Sequence, residues 1–282
     1  QDGRKHFLRV YTFLSGETVE TLGTDYVDGH KAGHFVGRLS TAMAGFHHPN
    51  AYQDLAWNLM SSVGLRREAR HIRDTDRRRM VEIAWDIFMR HGISGLSNLR
   101  SQVIHNDLTQ ANLMADPTRP GDITGAIDFG DSTYGPMILD PAITAVKLAE
   151  GHANPIGFCA DVFAGFAAER SILLHEAELA FPAMMGRIAL TQTIQAWREV
   201  HAPEKASELA ADMGPSLENL ERYLCEGLDR VTKTFADAIG IPAVSCKIAV
   251  PLEKDRDPQK LLARRKKVLS PALHLTYQRP IY

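Results

Sequence analysis

The sequence predicts an α+β fold, and three observations carry that prediction. Short runs rich in aromatic and β-branched residues are confined to the part before residue 130. After Pro141, apolar residues recur at helical spacing almost without a break. The 282 residues are 44% hydrophobic and 23% charged, with 21 Gly and 14 Pro, values of a globular protein. They exclude a disordered, collagen-like or disulfide-stapled chain. At about 150 residues per domain, the length allows one or two domains.

Residues 7–14 (Phe-Leu-Arg-Val-Tyr-Thr-Phe-Leu) read as a strand that ends in a turn at Ser15-Gly16. Between Asp28 and Phe46, Ala32, Phe35, Val36, Leu39, Met43 and Phe46 fall at helical spacing, and Pro49 stops the helix. Gly29, Gly33 and Gly37 recur every fourth residue on it. A phosphate-binding glycine loop is one reading, but regular spacing on one helix face favours close helix packing. Leu55, Leu59 and Met60 suggest a second helix over 51–63. The seven arginines of 66–79 (Arg66, Arg67, Arg70, Arg73, Arg77, Arg78 and Arg79) alternate with Glu68, Asp74 and Asp76. That mixture is expected of a solvated face, not an anion-binding patch. A helix from Asp76 to Arg90 would bury Met80, Ile83, Ile87 and Phe88. Val103-Ile104, Asn112–Ala115 and Ile123–Phe129 read as strands, the last two joined by the turn Asp116–Gly121. Helices follow over 141–150, 157–168, 172–200 (interrupted near Pro182) and 215–238, closed by Gly240-Ile241-Pro242. The Lys- and Arg-rich stretch 251–268 reads as a linker.

Lys+Arg of 32 against Asp+Glu of 34 leaves a net charge of −2. Nucleic acids and anionic membranes need a basic excess, so neither is an expected partner. No run of about 18 apolar residues could cross a bilayer, and no signal-peptide pattern opens the chain. Cys159, Cys225 and Cys246 are far apart and odd in number, as expected of reduced thiols in a cytoplasmic protein. His47-His48 has no partner at metal-ligand spacing. Trp57, Trp85 and Trp197 fall in segments read as helical and are expected to pack.

The chemistry concentrates in Val103-Ile-His-Asn-Asp-Leu-Thr-Gln-Ala-Asn-Leu-Met114 and Ala126-Ile-Asp-Phe-Gly-Asp131. Two short strands joined by a tight turn lie side by side. The end of the second therefore returns to the polar loop before the first, and Asp107, Asn112 and Asp128 can share one pocket. Converging oxygen donors suit a hard cation such as Mg²⁺, which needs one or two carboxylates plus phosphate oxygens. They also suit phosphoryl transfer, which needs a metal on the phosphates and a carboxylate beside the acceptor hydroxyl.

His105-Asn-Asp107-x4-Asn112 with Ile127-Asp128-Phe-Gly-Asp131 resembles the catalytic and metal loops of the aminoglycoside phosphotransferase and choline kinase superfamily. Tyr11–Gly16, Ala44–Pro49, Gln102–His105 and Asp128–Ser132 are most similar to hydroxylysine kinases, and the resemblance covers about residues 7–235. It implies a protein-kinase-like fold in which this chain holds mainly the helical C-lobe, most of the N-lobe being absent. It implies that Asp107 is the catalytic base and that Asn112 and Asp128 are the Mg²⁺ ligands. His105 then braces the loop, Asp131 is a substrate-side or supporting carboxylate, and Asp140 is a structural helix cap. The implied reaction is Mg²⁺-dependent transfer of the γ-phosphoryl group of ATP or GTP to a small amino alcohol, hydroxylysine first among them. Two other readings fit the same residues: an inactive kinase-like binding or scaffold module, and a metal-dependent phosphate hydrolase.

The chain departs from the family pattern upstream of Asp107. Kinases of this fold use a glycine-rich loop and a strand lysine, yet only Lys5 and Lys31 precede Asp107 and neither fits. Gln1 is not a Met, and a piece of a longer protein is expected, weakly active compared with a form extended upstream. Leu261–Pro280 is similar to the opening of class III pyridoxal-phosphate aminotransferases, which implies fusion to such a domain. The expected organisation is a small-lobe and hinge remnant (1–20), a phosphotransferase C-lobe (21–240), and a linker with the start of a second domain (241–282).

Overall fold

The computed structural model describes residues 8, 10, 12–204 and 213–241. The small-lobe remnant expected over 1–20 is therefore described only in part. Apart from Ile241, the linker, the second domain and the stretch resembling a pyridoxal-phosphate enzyme lie outside the described residues.

Two small antiparallel sheets sit on a body of helices. One has the order β1 (Glu17–Thr18), β3 (Leu113–Ala115), β4 (Ile123–Ala126), and the other pairs β2 (Ser101–Ile104) with β5 (Thr133–Pro136). Leu113 pairs with Ala126 and Ile104 with Thr133, so the loop after β2 and the loop after β4 leave the sheets side by side. Among the described residues of the strand expected over 7–14, none is in a strand. Residues 12–15 carry no regular structure, Phe13 is exposed, and the pairing begins two residues past Ser15. The pairing starts where β3 ends, with Glu17 opposite Ala115, the last residue of that strand. Gly16, at φ +118°, makes the turn into it, and a Cβ there would meet Ala115 O at 2.5 Å.

The helices are α1 (Val19–Leu22), α2 (Gly29–Met43), α3 (Thr75–Ile87), α4 (Ile93–Leu96), α5 (Leu139–Leu148), α6 (Pro155–Glu169), α7 (Leu174–His201), α8 (Met213–Glu226) and α9 (Leu228–Ala238). Asp28 and Asp74 cap α2 and α3, accepting from Lys31 N at 2.8 Å and Arg77 N at 2.7 Å. No helix over 51–63 forms. Asn58 accepts from Met60 N at 3.0 Å, a local bond that competes with helix, and a 3₁₀ segment runs over Ser62–His71. On α3 the buried residues are Val81, Ala84 and Trp85, whereas Ile83 is 41% exposed. Of the expected face, Phe88 is fully buried and Met80 and Ile87 pack partly against the core, so only Ile83 departs. The Trp85 indole N–H donates to Thr193 Oγ1 of α7 at 3.0 Å and holds that side inward. Pro182 does not interrupt α7. It is buried against the turn Phe88–Gly92, and that packing outweighs its missing N–H. The single helix expected over 215–238 is two, divided at Gly227 with φ +80°.

The core is aromatic, with Trp85, Phe88, Phe163, Phe166, Phe181, Tyr223 and Phe235 fully buried. Burial pushes the Cys159 thiol up to about 12 despite its contact with Tyr223 Oη at 3.3 Å, so it is an inert core group. Within the arginine-rich stretch, Arg66 pairs with Asp86, and Arg67 and Arg70 pair with Glu68. Among the described residues, no helix is long and apolar enough to cross a membrane.

The glycine stripe of α2 is a packing surface. A Cβ on Gly33 would lie 2.0 Å from Val162 O, and one on Gly165 of α6 would lie 1.9 Å from His30 O. The two helix backbones therefore touch through paired glycines. Gly33→Ala is expected to destabilise the protein by about 1–3 kcal/mol through overpacking. Gly64→Ala, which meets nothing within 4 Å, should change little. Thermal melting of both variants checks this, and equal melting temperatures would refute the close approach.

Candidate active site

The loop between β2 and β3 is held by a carboxylate from a helix. Asp140, in the first turn of α5 and 1% exposed, accepts from His105 N at 3.0 Å and Asn106 N at 2.8 Å. The sequence reading of Asp140 as a helix cap is corrected. Ile138 occupies the cap position, and the two N–H groups that Asp140 satisfies belong to the loop. Burial pushes its carboxyl above the ordinary range, and the two backbone bonds hold it down. Asn106 adopts φ +68° to present its N–H, a conformation in which Asn is favoured.

His105 is fully buried and joins the two loops. Its Nδ1 accepts from Asp107 N at 3.4 Å, and its Nε2 donates to Ile127 O at 3.0 Å. Ile127 N in turn donates to Asn112 O at 3.0 Å, so the residue before Asp128 is bonded to both ends of the polar loop. Asp128 lies exposed at φ +57°, with Oδ1 accepting from Gly130 N at 3.2 Å. Gln110 anchors the middle of the loop, donating to Lys147 O and to Glu150 Oε2, the latter at 3.0 Å.

Asp107 is gripped on both oxygens. Asn112 Nδ2 donates to Oδ2 at 2.8 Å and to the Asp107 backbone carbonyl at 2.9 Å. Arg187 of α7 donates from Nη2 to Oδ1 at 2.6 Å, while the Asp107 side chain keeps 23% exposure. The carboxylate is thereby fixed in direction yet open to a ligand. Asp131 sits within electrostatic reach of Asp107, Asp128 and Arg187, and its carboxylate makes no hydrogen bond among the described residues. Burial first, then the Asp107 charge, push it above the usual range. Asp107, Asn112, His105, Asp131 and Asp140 thus surround one loop, with Asp128 beside it.

The sequence reading missed Arg187, Gln110 and the place of Trp57. Trp57 is not in a helix: it lies on an irregular turn with its ring centroid 5.1 Å from the Arg187 guanidinium carbon. The missed signal was a lone charge inside the apolar run Met184-Met185-Gly186-Arg187-Ile188-Ala189-Leu190, since a buried charge demands a partner. Of the lysines before Asp107, Lys5 lies outside the described residues. Lys31 is committed to Asp122 at 2.9 Å.

Asn112 and Asp128 fit a magnesium ion by their donor set. The amide nitrogen of Asn112 is spent on Asp107, which leaves its oxygen for a cation, and Asp128 supplies a carboxylate. Among the described residues, no cluster of three or more His, Cys, Asp or Glu side chains has the arrangement of a metal cage. An ion that takes most of its ligands from phosphate and water does not need one.

A polar loop and a neighbouring acidic turn, both leaving short antiparallel sheets above a helical body, are the architecture of kinase-like phosphotransferases. The model of the phosphotransferase enzyme family (APH) matches residues 1–181, and the chain belongs to that family. It is similar to the hydroxylysine kinase of Mus musculus, 23% identical over 242 residues, 82% of this chain and 64% of that protein. It is likewise similar to the hydroxylysine kinase of Danio rerio, 24% identical over 239 residues, 82% of this chain and 66% of that one. The chain spans about two thirds of the length of these curated relatives. Among solved structures it resembles the GDP complex of wild-type aminoglycoside 2′-phosphotransferase-IIIa: TM-score 0.53, 16% identity, 74% of this chain and 70% of that one. It also resembles the microcompartment-associated aminopropanol kinase: TM-score 0.51, 20% identity, 72% of this chain and 63% of that one. At these identities the likeness is one of α+β, kinase-like fold.

The crowding of carboxylates makes a measurable prediction. Asp107→Asn removes one of the three causes that raise the Asp131 pKa (burial, the Asp107 charge and the Asp128 charge), so the Asp131 value should fall. It should stay above the ordinary range, because burial remains. Carbon-13 NMR titration of the side-chain carboxyl reads this directly, and an unmoved Asp131 would separate the two groups.

Proposed function

We propose that the protein is a small-molecule kinase. It moves the γ-phosphoryl group of ATP or GTP, with Mg²⁺, to the hydroxyl of a small amino alcohol of the hydroxylysine type. The observation that carries this reading is the Asp107 carboxylate, oriented on both oxygens yet partly open, beside an amide and a carboxylate suited to a metal nucleotide. The similarity to hydroxylysine kinases supports the choice of acceptor.

The acceptor hydroxyl donates its hydrogen bond to Asp107 and is thereby aimed at the γ-phosphorus. As the new O–P bond forms, the bond from the γ-phosphorus to its bridging oxygen breaks. The nucleoside diphosphate leaves with that electron pair, and the hydroxyl proton passes to Asp107. Asn112 and Asp128 would hold Mg²⁺, which when bound neutralises charge on the phosphates. Asp131, whose carboxylate makes no hydrogen bond among the described residues, would meet the ammonium of the acceptor. His105 and Asp140 keep the loop in position and touch no substrate. A hydrolase using the same residues would release phosphate without an acceptor, and a scaffold module would bind without turnover.

A coupled assay with ATP or GTP, Mg²⁺ and hydroxylysine, choline or ethanolamine tests the reading. Acceptor-dependent nucleoside diphosphate release is expected, and acceptor-independent phosphate release would overturn it. Asp107→Asn should lower kcat by about 10²–10⁴-fold, the usual worth of a general base, with nucleotide affinity nearly unchanged. Near-normal kcat in that variant would remove the assignment. Asp128→Ala should raise the Mg²⁺ requirement more than Asn112→Ala, because a carboxylate brings charge where an amide brings a dipole. Titration of activity against Mg²⁺ in both variants compares them, and an unshifted Asp128→Ala curve would put the metal elsewhere.

A further inference from the structure

Arg187 is the charge that the proposed reaction leaves unexplained. Its side chain is 4% exposed, and it spends one amino group, Nη2, on Asp107. Its Nε and Nη1 are buried and have no hydrogen-bond partner among the described residues. A buried donor without an acceptor costs about 1–3 kcal/mol, more on a charged group. In native proteins such orphans mark strain, a water or a ligand. Here the orphans lie at the carboxylate where the acceptor hydroxyl must arrive.

The surroundings say what kind of ligand. The Trp57 ring takes the face of the guanidinium, leaving its edges, where the N–H groups point, for an acceptor in the guanidinium plane. A second guanidinium, that of Arg198, lies 5.7 Å from the same ring, so two cations from one helix converge on Trp57. Asp107 supplies one hydrogen-bonded carboxylate to Arg187, and Asp131 lies within electrostatic reach of it. Neither fills the two empty donors. Each empty donor shares one edge of the guanidinium with Nη2, and such an edge of parallel N–H groups matches a carboxylate, which offers several lone pairs in one plane.

Resting on the reading of Asp107 as the base, we propose that Arg187 determines specificity by holding a carboxylate on the acceptor. The natural acceptor is then a hydroxy amino acid, and simple amino alcohols such as ethanolamine or choline are poor substrates. Asp131 supplies the opposite charge nearby, so the site takes a zwitterion with its hydroxyl at Asp107. Trp57, half-buried on its turn, stiffens the guanidinium and reports on the ligand.

The test compares 5-hydroxylysine with 1,5-diaminopentan-2-ol, which keeps the hydroxyl and both amines but lacks the carboxylate. Binding of each to the full chain is measured by calorimetry and tryptophan fluorescence, in wild type, Arg187→Gln and Arg187→Lys. Wild type should prefer hydroxylysine by about tenfold or more. Arg187→Gln should bring that ratio close to one, and Arg187→Lys should lose most of it, the larger loss falling on hydroxylysine in both. An equal loss of both ligands would mean that Arg187 only positions Asp107. A drop in kcat with the binding ratio intact would mean that it serves the transferring phosphoryl. Either result, or a wild type without preference, overturns the proposal. If the Arg187 variants fail to fold, Trp57→Leu, which leaves the ion pair, should weaken hydroxylysine selectively, and an unchanged ratio there counts against the proposal. Preference without turnover would sink the kinase reading and keep the carboxylate site; turnover without preference would do the reverse.

Discussion

The site hangs on one buried carboxylate. Asp140 takes the N–H groups of two consecutive residues, His105 and Asn106, on its two oxygens. Consecutive N–H groups point the same way only where the backbone leaves the extended form, and Asn106 at φ +68° does this. The turn then aims His105 inward, where its Nε2 reaches Ile127 O, and leaves Asp107 facing outward. Removing the Asp140 carboxylate would strand two buried donors at about 1–3 kcal/mol each and release the turn that they define. The position of Asp107 is thus set from a helix that follows it by some thirty residues, not by its own strand.

That dependence explains which parts of the molecule could be read from the residues. The polar loop, its flanking strands and the return of the chain at Asp128 were legible, because they rest on local spacing and one short turn. The Gly29, Gly33, Gly37 stripe was legible as packing, and the α2–α6 contact bears it out. Strand β5 was not, since Thr133–Pro136 contains Gly and Pro and becomes a strand only because β2 is there to pair with. On α3, Met80, Ile87 and Phe88 turn inward as their spacing implies, but Ile83 does not, as Trp85 fixes the face through Thr193, more than a hundred residues away. Asp140 looked like a cap because caps are the commonest use of an acid at a helix start. Its true partners lie across the fold.

Arg187 shows the same limit at the site itself. In sequence it is one basic residue in a long helix. In space it meets Asp107 from the opposite side to Asn112, so two unrelated segments hold one carboxylate. Such a convergence leaves no spacing pattern behind. What it does leave is a charge in an apolar run, and that signal demands a partner without naming it.

The charges around the loop set what the site can accept. Asp107, Asp128 and Asp131 stand against one buried guanidinium, and burial first, then the neighbouring carboxylates, raise the Asp131 pKa. On the proposed reaction, a metal ion at Asn112 and Asp128 offsets one carboxylate, and an ammonium at Asp131 offsets a second. Asp107 is then left with Arg187 alone, whose remaining donors still want an anion. Proton transfer to Asp107 would cancel its charge and leave the guanidinium unopposed by that carboxylate. A second carboxylate on the acceptor removes that imbalance, because Arg187 keeps a counter-ion after the proton has moved. The electrostatics of the reaction and the unsatisfied donors of Arg187 therefore call for the same group on the substrate.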